Sequence, residues 1–275
     1  MPAPINLIAF ALFVPGDRPD RLAKAFLAGA DAVIIDLEDA VADAAKPAAR
    51  KALSEARAAI AAAPCAVLVR VNAAGTLAHA ADVQALAGLA LAGIMLPKAE
   101  TVAEVEATEK ASRLPVLVLI ESARGIAAAR QLAQACARLA FGSIDYAADL
   151  GCAHTRDALL TARAELVLAS RLAGRPAPID GVTVSTRDAE LVRADAAYAA
   201  ALGFGGKLII HPAQLKPAAL GFCPADDEVA WAKRVLEAGA DKGAALVDGG
   251  MIDAPVRARA QQILQRWSRF ETVKE

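Results

Sequence analysis

Aromatic residues make up only 4% of this 275-residue chain, and there are just three histidines and four cysteines. So few rings argue against a base-stacking surface for nucleic acid. Lys plus Arg number 30 against 31 Asp plus Glu, a net charge of −1, so the broad basic field that a nucleic-acid partner needs is also missing. No run of about 18 apolar residues is free of charge or proline, which excludes a membrane-spanning helix at the level of sequence. Residues 1–13 carry no positive charge and no small-residue cleavage pattern, so a secretory signal is not expected. Cys65, Cys136, Cys152 and Cys223 are scattered and form no C-x-x-C pair, which fits free thiols in a reducing cytoplasm. The three histidines, His79, His154 and His211, lack the spacing of a zinc site.

Apolar residues, at 56%, are plentiful enough for a large core. Alanine supplies about a quarter of the chain and favours closely packed helices. Eight short apolar runs alternate with longer Ala-rich stretches: 7–14, 32–37, 66–71, 93–96, 116–120, 139–141, 179–184 and 208–210. The runs are continuous rather than alternating, as expected of parallel strands covered on both faces. Their number predicts an α/β fold, a (β/α)8 TIM barrel. Helices are expected over 46–63, with Pro47 in the first turn, over 101–112, opened by a Thr101/Glu104 capping box, and over 156–172 and 212–220. Residues 1–221 form the barrel in this reading. Residues 222–275 form a C-terminal helical extension, with helices over 226–238 and 254–267 and a loop over 243–253.

Barrel chemistry sits at the C-terminal strand ends, and here those ends are polar. They carry Asp36, Glu38 and Asp39 after the second run, Arg70 and Asn72 at the third, Lys98 after the fourth, Glu121 after the fifth, Asp145 after the sixth, Ser185 after the seventh and His211 after the eighth. Glu121 and Asp145 are candidate ligands for a hard divalent cation such as Mg²⁺, which accepts one or two carboxylates plus water and substrate oxygens. Helix capping or pairing with arginine would place the same carboxylates there. Arg70 can clamp a substrate carboxylate bidentately or pair with Glu38, Asp39 or Glu121. Lys98 reads as a salt-bridge partner of a neighbouring acid in preference to a Schiff-base lysine. His211 reads as a structural strand-end residue, and His79 and His154 as surface or loop residues.

The segments Leu12-Phe-Val-Pro-Gly-Asp17, Ile35-Asp-Leu-Glu-Asp-Ala-Val41, Val69-Arg-Val-Asn72, Leu96-Pro-Lys98, Ile120-Glu-Ser-Ala-Arg-Gly125, the 141–151 stretch and Ile210-His-Pro212 together resemble the citrate lyase beta-subunit-like proteins. That family belongs to the aldolase and CoA-ester lyase superfamily that includes malyl-CoA and citramalyl-CoA lyases. The resemblance implies a Mg²⁺-dependent carbon–carbon lyase acting on an acyl-CoA that yields a small oxo-acid. By the same likeness, Glu121 and Asp145 hold the metal while Asp149 does not, and Arg70 binds the substrate carboxylate. Backbone groups around Gly142 and Ser143 contact the oxo-acid, and Lys24 and Lys46 lie near the CoA phosphates. Met251-Ile-Asp-Ala-Pro255 resembles the segment that supplies a catalytic aspartate, here Asp253, from an adjacent subunit, which implies a homotrimer or a hexamer of trimers. Asp253 also fits an N-cap, with Pro255 in the first turn. Ser143-Ile144 departs from the Ala-Glu that many relatives carry before this aspartate, so the resemblance does not fix the shape of the substrate pocket. The alternatives are an aldolase on free oxo-hydroxy acids and a subunit that works only inside a multi-subunit citrate lyase.

Overall fold

The computed structural model describes residues 4–238, 245–247 and 250–271. Eight parallel strands close into a barrel in chain order: β1 (Phe10–Pro15), β2 (Ala32–Asp36), β3 (Ala66–Arg70), β4 (Gly93–Pro97), β5 (Val116–Ile120), β6 (Arg138–Phe141), β7 (Ile179–Asp180) and β8 (Gly206–Ile209), with β8 returning to β1. The TIM-barrel expectation holds. Two boundaries move: Ile5–Leu7 is a 3-10 turn ahead of β1, and the 179–184 run narrows to two strand residues. Just past β7, Gly181 lies against the Ser143 side chain, closer than a residue with a Cβ could come.

Side chains alternate between two packed regions. Ala32 and Ile34, Ala66 and Leu68, Met95, Leu117 and Leu119, Ala140, Ile179 and Leu208 fill the barrel interior. Val33 and Ile35, Val67 and Val69, Ile94 and Leu96, and Val116, Val118 and Ile120 face the helices. At the N-terminal end, Arg138 is fully buried and donates to the carbonyls of Ala177 (2.7 Å), Ile5 (3.1 Å) and Ile8. A single guanidinium thus satisfies three carbonyls where the barrel floor has no sheet partner.

The capping box at Thr101/Glu104 is present, with Glu104 Oε2 accepting from Thr101 N at 2.9 Å. The stretch 46–63 is two helices, Lys46–Glu55 and Arg57–Ala61; the guanidinium of Arg57 reaches the carbonyls of Ala87 and Gly88. The helix expected from 156 begins at Leu160. In the C-terminal region the helices Asp226–Ala238 and Ala254–Phe270 share a small core of Val229, Ala232, Val235, Ile252, Ala260 and Ile263. The expected loop over 243–253 contains a hairpin, β9 (Ala245–Val247) with β10 (Gly250–Ile252), while residues 243, 244, 248 and 249 lie outside the described residues. Phe270 anchors this extension at the barrel floor, with ring centroids 5.6 Å from Phe10 and 6.1 Å from Phe222. No helix among the described residues is long and apolar enough to cross a membrane.

Candidate active site

The alternation that fills the interior also selects which strand-end residues face the barrel axis. Asp36 follows Ala32 and Ile34 on the inward face, Arg70 follows Ala66 and Leu68, and Glu121 follows Leu117 and Leu119. Asp36 and Arg70 are direct register partners across β2 and β3. Their side chains form a bidentate pair, with Nε and Nη2 of Arg70 donating to Asp36 Oδ1 and Oδ2 at 2.7 and 2.6 Å. Arg70 Nη1 lies 3.1 Å from Glu38 and 3.8 Å from Asp39, and the guanidinium lies 5.0 Å from the Phe13 ring centroid. Burial works against the cation, but the hydrogen bonds and charge of Asp36 with the charge of Glu38 outweigh it, so Arg70 is held protonated. Lys98 Nζ pairs with Glu38 at 2.8 Å and Asp39 at 3.4 Å. Burial opposes its charge as well, yet Glu38 and Asp39 raise its pKa, which suits a salt-bridge lysine and disfavours a neutral amine nucleophile.

Glu121 is 3% exposed and half satisfied. Its Oε1 accepts from the Lys98 backbone N–H at 2.9 Å, whereas its Oε2 is buried without a hydrogen-bond partner. Lys98 has a φ of 53°. This left-handed conformation is uncommon for a residue with a side chain, and it brings the amide to Glu121. Burial first, then the charges of Glu38 and Asp145, push the Glu121 carboxyl up to about 9. Gly142 makes room for this side chain, because a Cβ there would lie 2.6 Å from both Glu121 Cβ and Oε2.

Gly142 caps the helix Ser143–Leu150, and Asp145 sits in its first turn. The first in-helix hydrogen bond runs from Tyr146 N to Gly142 O at 3.0 Å, so the N–H groups of residues 143–145 precede it and point out of the helix start. Asp36, Arg70, Glu121, Gly142, Ser143 and Asp145 line one pocket of about 270 Å³ whose other walls include Phe13, Phe141, Leu208 and Ile210. A larger cleft of about 720 Å³ opens between the barrel and the C-terminal extension, but among the described residues Glu228 is its only lining carboxylate and no strand end reaches it.

The donor set fits a hard divalent cation. Around the pocket the carboxylates of Asp36, Glu38, Asp39, Glu121 and Asp145 outnumber the cations of Arg70 and Lys98. A buried carboxylate oxygen without a partner is costly unless a cation or proton meets it. Among the described residues no group of three or more His, Cys, Asp or Glu side chains converges, so a site with many protein ligands has no support there. Two carboxylates plus outside oxygens match Mg²⁺ usage.

The remaining residues singled out in the sequence fall as follows. Ser143 is buried, with its Oγ 3.0 Å from His154 Nε2, so His154 contacts the pocket lining and is not a bystander on a loop. Lys46 Nζ is held by Asn72 Oδ1 (2.5 Å) and Asp43 (2.9 Å). Lys24 is exposed in the helix Leu22–Phe26. Asp149 accepts from Ala123 N at 2.7 Å. His79 Nδ1 meets the Asn72 carbonyl at 2.9 Å, and His211 caps the turn Pro212–Gln214. Asp253 caps the last helix, accepting from Val256 N at 3.0 Å, and does not line the pocket of its own chain. The partners expected for Arg70 omitted the one that holds it most tightly, Asp36. The strand parity shared by positions 36 and 70 was the available sign.

Comparison with known proteins gives a consistent result. Residues 9–212 match the family model described as HpcH/HpaI aldolase/citrate lyase. A citrate lyase subunit beta-like protein of Mycobacterium tuberculosis is 41% identical over 265 residues, covering 93% of this chain and 94% of the relative. A (3S)-malyl-CoA thioesterase of Cereibacter sphaeroides is 33% identical, covering 93% of each chain. The crystal structure of the M. tuberculosis protein CitE in complex with magnesium, acetoacetate and coenzyme A superposes with a TM-score of 0.85 at 37% identity, covering 96% of this chain and 100% of that one.

Proposed function

Because the chain belongs to the HpcH/HpaI aldolase/citrate lyase family, we propose that it is a Mg²⁺-dependent lyase cleaving a carboxylated 3-hydroxyacyl-CoA of the malyl-, citramalyl- or citryl-CoA type to acetyl-CoA and an oxo-acid. The observation that carries this reading is the partnerless, buried Glu121 Oε2 in the same pocket as Asp145 and Arg70. Glu121 and Asp145 would hold the ion. When bound, Mg²⁺ supplies a Lewis acid that stabilises negative charge on the hydroxyl, carbonyl and carboxylate oxygens of the reacting acid.

The chain's own residues do the rest. Arg70, fixed by Asp36, places a permanent positive charge beside those oxygens without having to reorganise. The helix-start N–H groups at Ser143 and its neighbours receive the oxo-acid carboxylate. Lys24 and Lys46 meet the CoA phosphates, Lys46 by exchanging Asp43 for phosphate. Cleavage breaks the bond between C2 and C3 of the acyl chain, and its electron pair stays on C2 as the acetyl-CoA enolate. The hydroxyl proton leaves to solvent water from the oxygen that becomes the carbonyl, and protonated Asp253 gives a proton to the enolate carbon and is reprotonated from solvent. No atom is gained or lost overall. Asp253 comes from a neighbouring subunit in this reading. Its helix, Ala254–Phe270, spans about 25 Å and is anchored by Phe270 at the opposite end of the barrel from the pocket. A homotrimer, or a hexamer of trimers, would supply that neighbour. The scattered cysteines, none in a C-x-x-C pair, suit a cytoplasmic enzyme.

The test is incubation with Mg²⁺ and malyl-, citramalyl- and citryl-CoA, following oxo-acid release with and without EDTA. EDTA-sensitive cleavage of one member supports the reading. Folded, Mg²⁺-binding protein that cleaves none of them refutes it and points to free oxo-hydroxy acids or a partner-dependent subunit. Asp253→Asn should abolish turnover while metal and oxo-acid binding persist, and near-normal turnover in that variant would remove Asp253 from the mechanism.

A further inference from the structure

Behind the ends of β6 and β7 lies a second cavity, of about 310 Å³, that the proposed chemistry does not use. A charged cluster sealed into the barrel wall bounds it. Arg163 is 7% exposed, and its Nε donates to Asp180 Oδ1 at 2.9 Å. Its guanidinium lies 5.6 Å from the Phe141 ring centroid and 5.7 Å from that of Tyr198. The other oxygen of Asp180 lies 3.3 Å from Lys207 Nζ, which also donates to the Gly181 carbonyl at 2.6 Å. Asp180 and Lys207 are each 1% exposed. Two buried cations therefore share a single buried carboxylate.

An uncompensated charge in such a place is costly, and its location is specific: Arg163 Nη1 is buried without a hydrogen-bond partner. Among the described residues the one carboxylate lining the cavity, Asp195, is already engaged, accepting from Arg156 at 3.0 Å and from Thr183 Oγ1 at 2.9 Å. Leu159, Val182, Val184 and Leu191 supply apolar walls. Val182 also lines the active-site pocket, and Ser143 of that pocket lies 3.0 Å from Nε2 of His154, which lines this cavity.

We propose that this cavity binds a small monocarboxylate with a short aliphatic body, its carboxylate on the Arg163 guanidinium that lines the cavity. One surplus positive charge matches one carboxylate, and guanidinium and carboxylate are complementary in plane and charge. A phosphate dianion would over-compensate the charge and face Asp195. The volume is at the small end for ligand sites, which limits the body to a few carbons.

The test is calorimetric titration of butyrate, and of neutral butyramide, into Mg²⁺-free protein. Butyrate should bind with a dissociation constant below about 10 mM and butyramide should not. Arg163→Met should weaken butyrate binding about tenfold or more, the size of losing a charge-assisted hydrogen bond. Leu191→Trp should do the same by filling the cavity while leaving the charged cluster intact, and it decides the matter if Arg163→Met fails to fold. No butyrate binding, equal binding of the amide, or undiminished binding in Leu191→Trp overturns the proposal, the last by assigning the anion to another cation such as Arg70.

Discussion

Gly142→Ala tests the site most sharply, because it adds one methyl group at a position the pocket cannot spare. The new Cβ would lie 2.6 Å from both Cβ and Oε2 of Glu121, well inside contact distance. The obstruction is the fixed root of a buried side chain, with Glu121 Oε1 tied to Lys98 N at 2.9 Å, so the strain cannot be relieved by turning a flexible tip. Overpacking of this kind costs about 1–3 kcal/mol. Unfolding entropy near 2.1 cal/mol/K per residue gives about 0.6 kcal/mol/K for a chain of this length, so Tm should fall by about 2–5 °C. Pushing Oε2 aside also separates it from Asp145, and metal affinity should fall about 10–100-fold, as it does when ligand orientation is disturbed. Scanning calorimetry measures the first effect, and Mn²⁺ titration followed by electron paramagnetic resonance measures the second. A lower Tm with unchanged Mn²⁺ affinity would refute Glu121 Oε2 as a ligand. An unchanged Tm would refute the close approach itself.

Three further outcomes follow from the same geometry. Glu121→Gln should remove a pH dependence of stability in metal-free protein. The folded carboxyl is raised to about 9, so its contribution is complete below the unfolded pKa near 4.5 and is lost as pH rises toward 9. The slope is at most about 1.4 kcal/mol per pH unit. Urea melts with EDTA at pH 6 and 8.5 should show the wild type losing stability that the glutamine variant keeps, and parallel behaviour would refute the shift. Arg70→Met strands Asp36, which is 1% exposed, and should cost about 3–5 kcal/mol in chemical denaturation and abolish oxo-acid binding; a loss under about 1 kcal/mol would contradict the buried pair. Phe270→Ala opens the Phe10–Phe222–Phe270 cluster and should cost about 3–5 kcal/mol, read as a loss of Tm or an early tail transition in limited proteolysis.

A site built this way is held by opposed charges more than by contacts. Arg70 is immobilised by Asp36, Lys98 by Glu38, and both cations temper the repulsion between Glu121 and Asp145. The structure concentrates negative charge around Glu121 and Asp145 and keeps the Arg70 guanidinium positive beside them, an arrangement that matches the proposed cation and the proposed carboxylate substrate.

Much of this was determined by the sequence alone. Continuous Val, Ile and Leu runs separated by helix-forming stretches can bury both faces only as a parallel sheet covered by helices, and eight of them close into a barrel. Because barrel chemistry gathers at one end, the same pattern puts Arg70, Glu121 and Asp145 at C-terminal strand ends, and they line one pocket. Capping is local too, so Thr101/Glu104 and Asp253 were readable from spacing. The tertiary structure decided what depends on contacts between distant segments. Register made Asp36, 34 residues away, the tight partner of Arg70. The approach of Gly142 to Glu121 left one oxygen bare. Ser143 and His154, 11 residues apart, meet at 3.0 Å, and Arg163 is buried nearby with one donor unpartnered. Strand and cap preferences act over a few neighbouring residues and are written in sequence, whereas burial and charge balance are properties of the space between elements and exist only once the barrel has closed.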